Sequence, residues 1–175
     1  FRSANFAALE VKRATDRIPA KPGLWPAGFE LSVAITLKPS NGDLRKPKRP
    51  YVVVWIEDAS GRPVRTVTLW GNKSKYFRDL PGWWKFARDD ADTVSTVTRA
   101  TRPFGAYTIV WDGRDDRGDP LPPGTYNVVL EVTREHGTHA KKSVRIECGA
   151  AAARAVIAAG SEFGEAPVIY GPRVE

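Results

Sequence analysis

The segment "AYTIVWDGRDDRGDPLPPGTYNVVLEV", residues 106 to 132, holds two apolar runs around a connection in which residues 111 to 126 pack four aspartates, three glycines and three prolines into sixteen positions. "AYTIVW" and "TYNVVLEV" are rich in β-branched and aromatic residues, and Gly, Pro and Asp between them are turn formers, so the segment reads as two strands and a tight corner. Within the corner, Asp side chains cap turn backbone two residues on, and Gly113, Gly118 and Gly124 are free to take positive φ. Trp111 ends the first strand against the core. Tyr126 opens the second just after "PPG", where a phenol folds back onto the turn as corner tyrosines do in immunoglobulin-like sandwiches.

Outward from this corner the strand pattern repeats. "FELSVAITLK" from Phe29 alternates with period two and sets Leu31, Val33, Ile35 and Leu37 on one face. "PYVVVWIED" (50–58) is almost continuously apolar, as a central strand would be, and "DASGRP" turns it into "VRTVTLW" (64–70). "HAKKSVRIEC" (139–148) adds another strand, and "APVIYG" near the C-terminus reads as a closing or edge strand, while the Ala run before it also permits a helix. Residues 72 to 104 lack strand alternation, and "DDADTVSTVTRAT" has the acidic start of a helix, so they read as an insertion with one or two short helices. The expectation is an all-β, immunoglobulin/fibronectin-like sandwich over residues 29–175 with a short helical insertion, preceded by an arm or linker over residues 1–28.

Composition fits a globular domain of 175 residues with 42% hydrophobic content. Its 27 Lys and Arg exceed its 20 Asp and Glu, a net charge of +7 that permits attraction to anionic partners without choosing one. The most basic stretch, "KPSNGDLRKPKRP" (38–50), interleaves no aromatics with its cations, so nucleic-acid binding is not expected. Cys148 is the single cysteine, which rules out an internal disulfide. No apolar run reaches the length of a membrane span, and the start at Phe1 without any Met suggests a processed or excised piece.

Beyond the corner, "RPYVVVWIEDASGRPVRTVTLWG", "WWKFARDDADTVSTVTRATRPFG" and "TREHGTH" together resemble a family of predicted periplasmic proteins of unknown function, DUF2271, over about residues 25 to 148. The 106–132 segment also resembles the Ig-like domain of flagellar hook-capping proteins, with its W-D-G, acidic loop and P-x-G-x-Y. The DUF2271 resemblance implies a periplasmic or secreted β-sandwich without established catalytic residues. Members tend to occur beside, or fused to, FAD:protein FMN transferases and membrane-anchored PepSY-type redox proteins. It therefore implies a non-catalytic accessory module whose protein partner belongs to extracytoplasmic flavin-transfer or iron redox systems. A metal- or ligand-binding domain is the alternative reading, and an auxiliary domain of an FAD:protein FMN transferase is the third.

Three candidate sites follow. Asp112, Asp115, Asp116 and Asp119 offer oxygens to Ca²⁺, but their spacing departs from a calcium loop and Arg114 and Arg117 compete inside it, which favours turn scaffold. Asp115-Asp116, like Asp89-Asp90, is expected in solvated loop with no reason for a raised pKa. His136 and His139 flank Gly137-Thr138. If those two residues form the turn, both imidazoles can reach one transition metal, with other ligands still to be supplied. Trp83 and Trp84 form a candidate binding surface, one ring entering the core while its neighbour covers the sandwich or meets a partner. Arg99 and Arg102 can grip a carboxylate or phosphate. No cofactor is expected, and neither a G-x-S-x-G elbow nor a phosphate-cradling Gly loop is present.

Overall fold

The computed structural model describes residues 25–39, 48–135 and 137–174. Two sheets pack face to face. In chain order the strands are β1 (Phe29–Leu37), β2 (Tyr51–Glu57), β3 (Pro63–Trp70), β4 (Thr98–Arg99), β5 (Gly105–Trp111), β6 (Gly124–Thr133), β7 (His139–Cys148), β8 (Ala153–Ile157) and β9 (Ala166–Pro172). One sheet runs β5-β1-β9-β8 and the other β4-β3-β2-β6-β7. Among the described residues only the short β3–β4 pairing is parallel; all others are antiparallel. This is the expected all-β sandwich with a helical insertion.

Period-two patterning accounts for the inner core. Leu31, Val33, Ile35 and Leu37 of β1 face Val52, Val54 and Ile56 of β2 and Val128, Leu130 and Val132 of β6 across the interior. β2 is apolar on both sides because the other face of its sheet is covered as well. Val53, Trp55, Leu69 and Val129 there form a second core with Phe77, Leu80, Trp83, Ala87 and Val97 from the insertion. The insertion comprises a 3-10 helix (Ser74–Asp79) and two short α-helices, α1 (Pro81–Ala87) and α2 (Ala91–Val97). Asp90 starts α2 by accepting from the Thr93 amide at 3.0 Å, the acidic helix start that the sequence suggested.

Three expectations change. The "APVIYG" strand is β9, which lies inside its sheet between β1 and β8; the Ala-rich segment supplies the edge strand β8 instead of a helix. The sandwich begins before Phe29. Trp25 stands edge-on to Trp111 and Tyr170, with centroids 4.8 and 5.0 Å away, and stoppers the open end of the inner core. The remainder of the expected arm, residues 1–24, lies outside the described residues. Gly113 and Gly118 adopt positive φ, 78° and 87°, but Gly124, which pairs with Cys148 at the start of β6, does not.

Candidate functional site

The acidic corner is occupied by its own backbone. Asp115 Oδ1 accepts from the Arg117 and Asp119 amides, both at 2.9 Å, and Asp112 Oδ1 from the Arg114 amide at 3.2 Å. Arg114 Nη1 donates to the Gly118 carbonyl at 2.7 Å. Asp116 reaches further: its amide donates to the Val64 carbonyl at 3.2 Å while its carboxylate accepts from the Thr66 amide at 2.9 Å. The loop thus straps the exposed edge of β3, satisfying groups that a bare edge would leave unpaired. Burial pushes the Asp116 carboxyl above its ordinary pKa, against the bond from Thr66 and the nearby Arg65. The expectation that nothing raises a pKa in Asp115-Asp116 is thereby corrected for Asp116, although the residue stays exposed.

Trp111 and Tyr126 lock the same corner. The Trp111 indole donates to the Arg114 carbonyl at 2.8 Å, and the Tyr126 hydroxyl donates to the Pro122 carbonyl four residues upstream. Gly113 is required here, since a Cβ would stand 2.7 Å from the Trp25 ring.

On the outer face of the other sheet, Glu131 organises a second constellation. Helix α1 starts after Leu80, which offers no side-chain cap. Its first amides are capped instead from β6: Glu131 Oε1 accepts from Gly82 and Oε2 from Trp83, each at 2.9 Å. An anion at a helix start answers both the unpaired amides and the local dipole. Gly82 makes the approach possible, for a Cβ there would lie 2.7 Å from the Lys141 side chain and 3.0 Å from Glu131 Oε2. The Trp83 indole donates to Thr66 Oγ1 at 3.1 Å, and Thr66 is the residue whose amide Asp116 holds. A continuous chain of bonds therefore runs from the acidic corner to α1 and on to β6.

His139 completes it. Its Nε2 lies 2.8 Å from Glu131 Oε1, and its side chain is 41% exposed, on the rim of an open cleft of about 530 Å³. Tyr76, Arg78 and Asp79 from the 3-10 helix form one wall, with Thr133, Glu135 and Gly137 opposite. Beneath, Arg134 and Glu162 form a buried ion pair at 2.5 Å; Arg134 also donates to the Lys38 and Lys48 carbonyls, and Thr138 donates to Glu162. One guanidinium thereby joins both ends of the β1–β2 connection to the β6–β7 turn.

The turn itself differs from expectation. Thr133 pairs with His139, the Arg134 amide donates to the Thr138 carbonyl at 3.2 Å, and the Gly137 amide donates to the Arg134 carbonyl at 2.9 Å. Gly137-Thr138 is therefore not a two-residue turn flanked by facing histidines: His139 sits across from Thr133, and His136 lies outside the described residues. Among the described residues no three His, Cys, Asp or Glu side chains gather where they could hold a metal ion. The aromatic pair divides, since Trp83 is completely buried and cannot serve as surface, while Trp84 is half-buried over the second core. Arg99 is turned onto the Thr96 and Thr98 carbonyls, and Arg102 stacks over Trp70 and Tyr107 at 4.8 and 5.3 Å.

Sequence reasoning missed Glu131, Arg134 and Glu162. The signal for the first was a charged residue inside an otherwise apolar β6, together with a Pro-Gly helix start lacking a local cap.

The fold and this site define a β-sandwich domain with a helical lid keyed onto one outer face by a buried carboxylate. The chain belongs to the family described as predicted periplasmic protein (DUF2271), whose model matches residues 31–165, from within β1 to the connection before β9. No curated protein and no solved structure matches it, and the likeness to the Ig-like domain of flagellar hook-capping proteins is not confirmed. Among the described residues no helix is long and apolar enough to cross a membrane.

Proposed function

We propose that the chain is a non-catalytic accessory module of the periplasm that docks a protein component of an extracytoplasmic flavin-transfer or iron redox system through its helical insertion and the cleft beside it. The observation that carries this reading is the inward commitment of the groups best suited to chemistry. Glu131 is spent on two helix amides and a histidine, Arg134 and Glu162 on each other, and burial pushes the Cys148 thiol up to about 12. The insertion instead leaves Trp84 and Phe86, packed on the second core, half-open beside exposed Arg78 and Lys85, a mixture of aromatic anchors and cations suited to protein contact. The flavin and iron context rests on the chain's resemblance to a family whose members tend to occur beside, or fused to, FAD:protein FMN transferases and PepSY-type redox proteins.

Biolayer interferometry with the immobilised chain against a purified FAD:protein FMN transferase and its flavinylated substrate domain tests the reading. Saturable binding of either one without added metal supports it. Binding of neither, or FMN transfer by the chain alone, overturns it.

A second reading, ligand or metal capture in the cleft, is favoured by the bond between His139 and Glu131. With Nε2 directed at a carboxylate, Nδ1 becomes the lone-pair nitrogen of the neutral ring and can take an external group. His139 supplies one such contact, so a metal would need ligands from elsewhere. An unchanged melting temperature on adding Zn²⁺ or Cu²⁺ removes the metal version of this reading.

A further inference from the structure

β7 turns its even positions to the inner core and its odd ones, His139, Lys141, Ser143, Arg145 and Glu147, to the sheet face that carries the insertion, where all five are exposed. The row begins at the cleft rim with His139 and reaches Arg145 about 20 Å further along the strand. Its two cations lack internal partners. Lys141 stands directly across from Glu131, the carboxylate that a cross-strand ion pair would use. Both Glu131 oxygens are already committed to Gly82, Trp83 and His139, and the Lys141 stem lies over the start of α1, where a Cβ on Gly82 would stand 2.7 Å from it. Arg145 stands across from Asn127, which carries no charge. Among the described residues neither cation has a carboxylate within ion-pair distance. Glu147, which ends the row, bonds across to Thr125 Oγ1 at 2.6 Å.

We infer that this row extends the docking face beyond the cleft and receives an acidic segment of the partner, whose carboxylates meet Lys141 and Arg145. The inference rests on the docking reading given under Proposed function. Charge selects the occupant. On a chain of net charge +7, two cations about 13 Å apart on one strand, left without acids of their own, complement the carboxylates of an extended acidic segment. Packing of the Lys141 stem on α1 also reduces the side-chain freedom that binding would remove. An anionic membrane fits this face less well, because Val110, Val156 and Ile169, exposed large apolar side chains that a bilayer would take up, belong to the strands of the other sheet. Cations on an outer strand also guard it against pairing, a role that calls for charge but for no particular anion. Selective recognition of carboxylates separates the two roles.

Amide NMR spectra of the full chain test this, with three probes: an extended peptide alternating Glu and Thr, its counterpart with Gln for Glu, and phosphatidylglycerol vesicles. The expected result is saturable, salt-sensitive shifts centred on β7 and α1 with the Glu peptide and none with the Gln peptide. Arg145→Glu should raise the dissociation constant of the Glu peptide on the order of tenfold, and Lys141→Gln, which keeps the stem over Gly82, should raise it as well. Arg154→Glu makes the same change of net charge on the other sheet and should leave it unchanged. Circular dichroism confirms that each variant folds. Failure of the Glu peptide to saturate, equal binding of the Gln peptide, equal weakening by Arg154→Glu, or vesicle binding through the same residues without peptide binding overturns the inference. Interferometry with the transferase and its substrate domain decides the docking reading separately, so binding there combined with a silent Glu peptide removes the acidic segment alone.

Discussion

Glu131 on β6 and His139 on β7 lie diagonally across neighbouring strands of one sheet face, joined at 2.8 Å, and the carboxylate that holds the imidazole also closes the start of α1. Helical lid and cleft wall are thus fixed by one side chain with no exposure at all. Removing it strands two buried amides. Glu131→Ala should cost about 3 kcal/mol, and Glu131→Gln, which keeps one acceptor oxygen, roughly half as much. Urea unfolding checks both, and a loss below about 1 kcal/mol for Glu131→Ala would show that α1 is held by packing alone.

Arg134 and Glu162 form the buried pair beneath the cleft, with side chains 5% and 2% exposed. Truncating either to Ala leaves the other as an uncompensated buried charge, at a cost of about 3–5 kcal/mol. The double variant should be less unstable than the sum of the two singles, the signature of a coupled pair. Additive losses in a double-mutant cycle would contradict this.

Asp116 separates geometry from charge. Its carboxyl is raised by burial, so the ionised form is the disfavoured one in the folded state, and stability gained from this group falls as pH rises through its folded pKa. Asp116→Asn keeps an acceptor for the Thr66 amide without the charge and should leave thermal stability at pH 7 equal or higher. Asp116→Ala should lose about 1–2 kcal/mol by stranding that amide. A clear loss in the Asn variant would mean that the charge itself is needed, with Arg65 as its counterpart.

At alkaline pH the core phenols and the thiol act together. Burial raises Tyr126 from 10.0 to about 12 and Cys148 from 9.0 to about 12, and it raises Tyr170 as well. The folded state retains these protons after the unfolded chain has released them. Their contribution is therefore complete below pH 9 and is lost as pH climbs from 9 towards 12. Tyr126→Phe removes the corner bond to Pro122 and should lower stability by about 1 kcal/mol at neutral pH. A melting curve identical to wild type would show that the corner does not depend on the phenol.

The fold was legible wherever one side chain in two had a single destination. β1 alternates because only one of its faces is buried, and β2 reads as a solid apolar run because the insertion covers its second face. Corner chemistry was legible too, since Asp-to-amide bonds two to four residues apart are local. What stayed hidden depends on distant partners. Glu131 finds its amides 48 and 49 residues away and Arg134 its carboxylate 28 residues away, so the sequence shows the charges without the groups they bind. The turn after β6 was misplaced because "GTH" resembles a two-residue turn, whereas the buried Arg134 draws Thr138 into register opposite itself.

The central claim, that the insertion and cleft rim form a docking face rather than a catalytic one, is tested most directly by comparing partner affinity in a rim variant. Arg78 is exposed, lines the cleft and lies outside both buried networks, so Arg78→Glu reverses a surface charge without touching the fold. Interferometry with a purified FAD:protein FMN transferase or its flavinylated substrate domain, whichever binds the wild-type chain, should then give a dissociation constant on the order of tenfold weaker at an unchanged melting temperature. Equal affinity for wild type and Arg78→Glu would contradict the account.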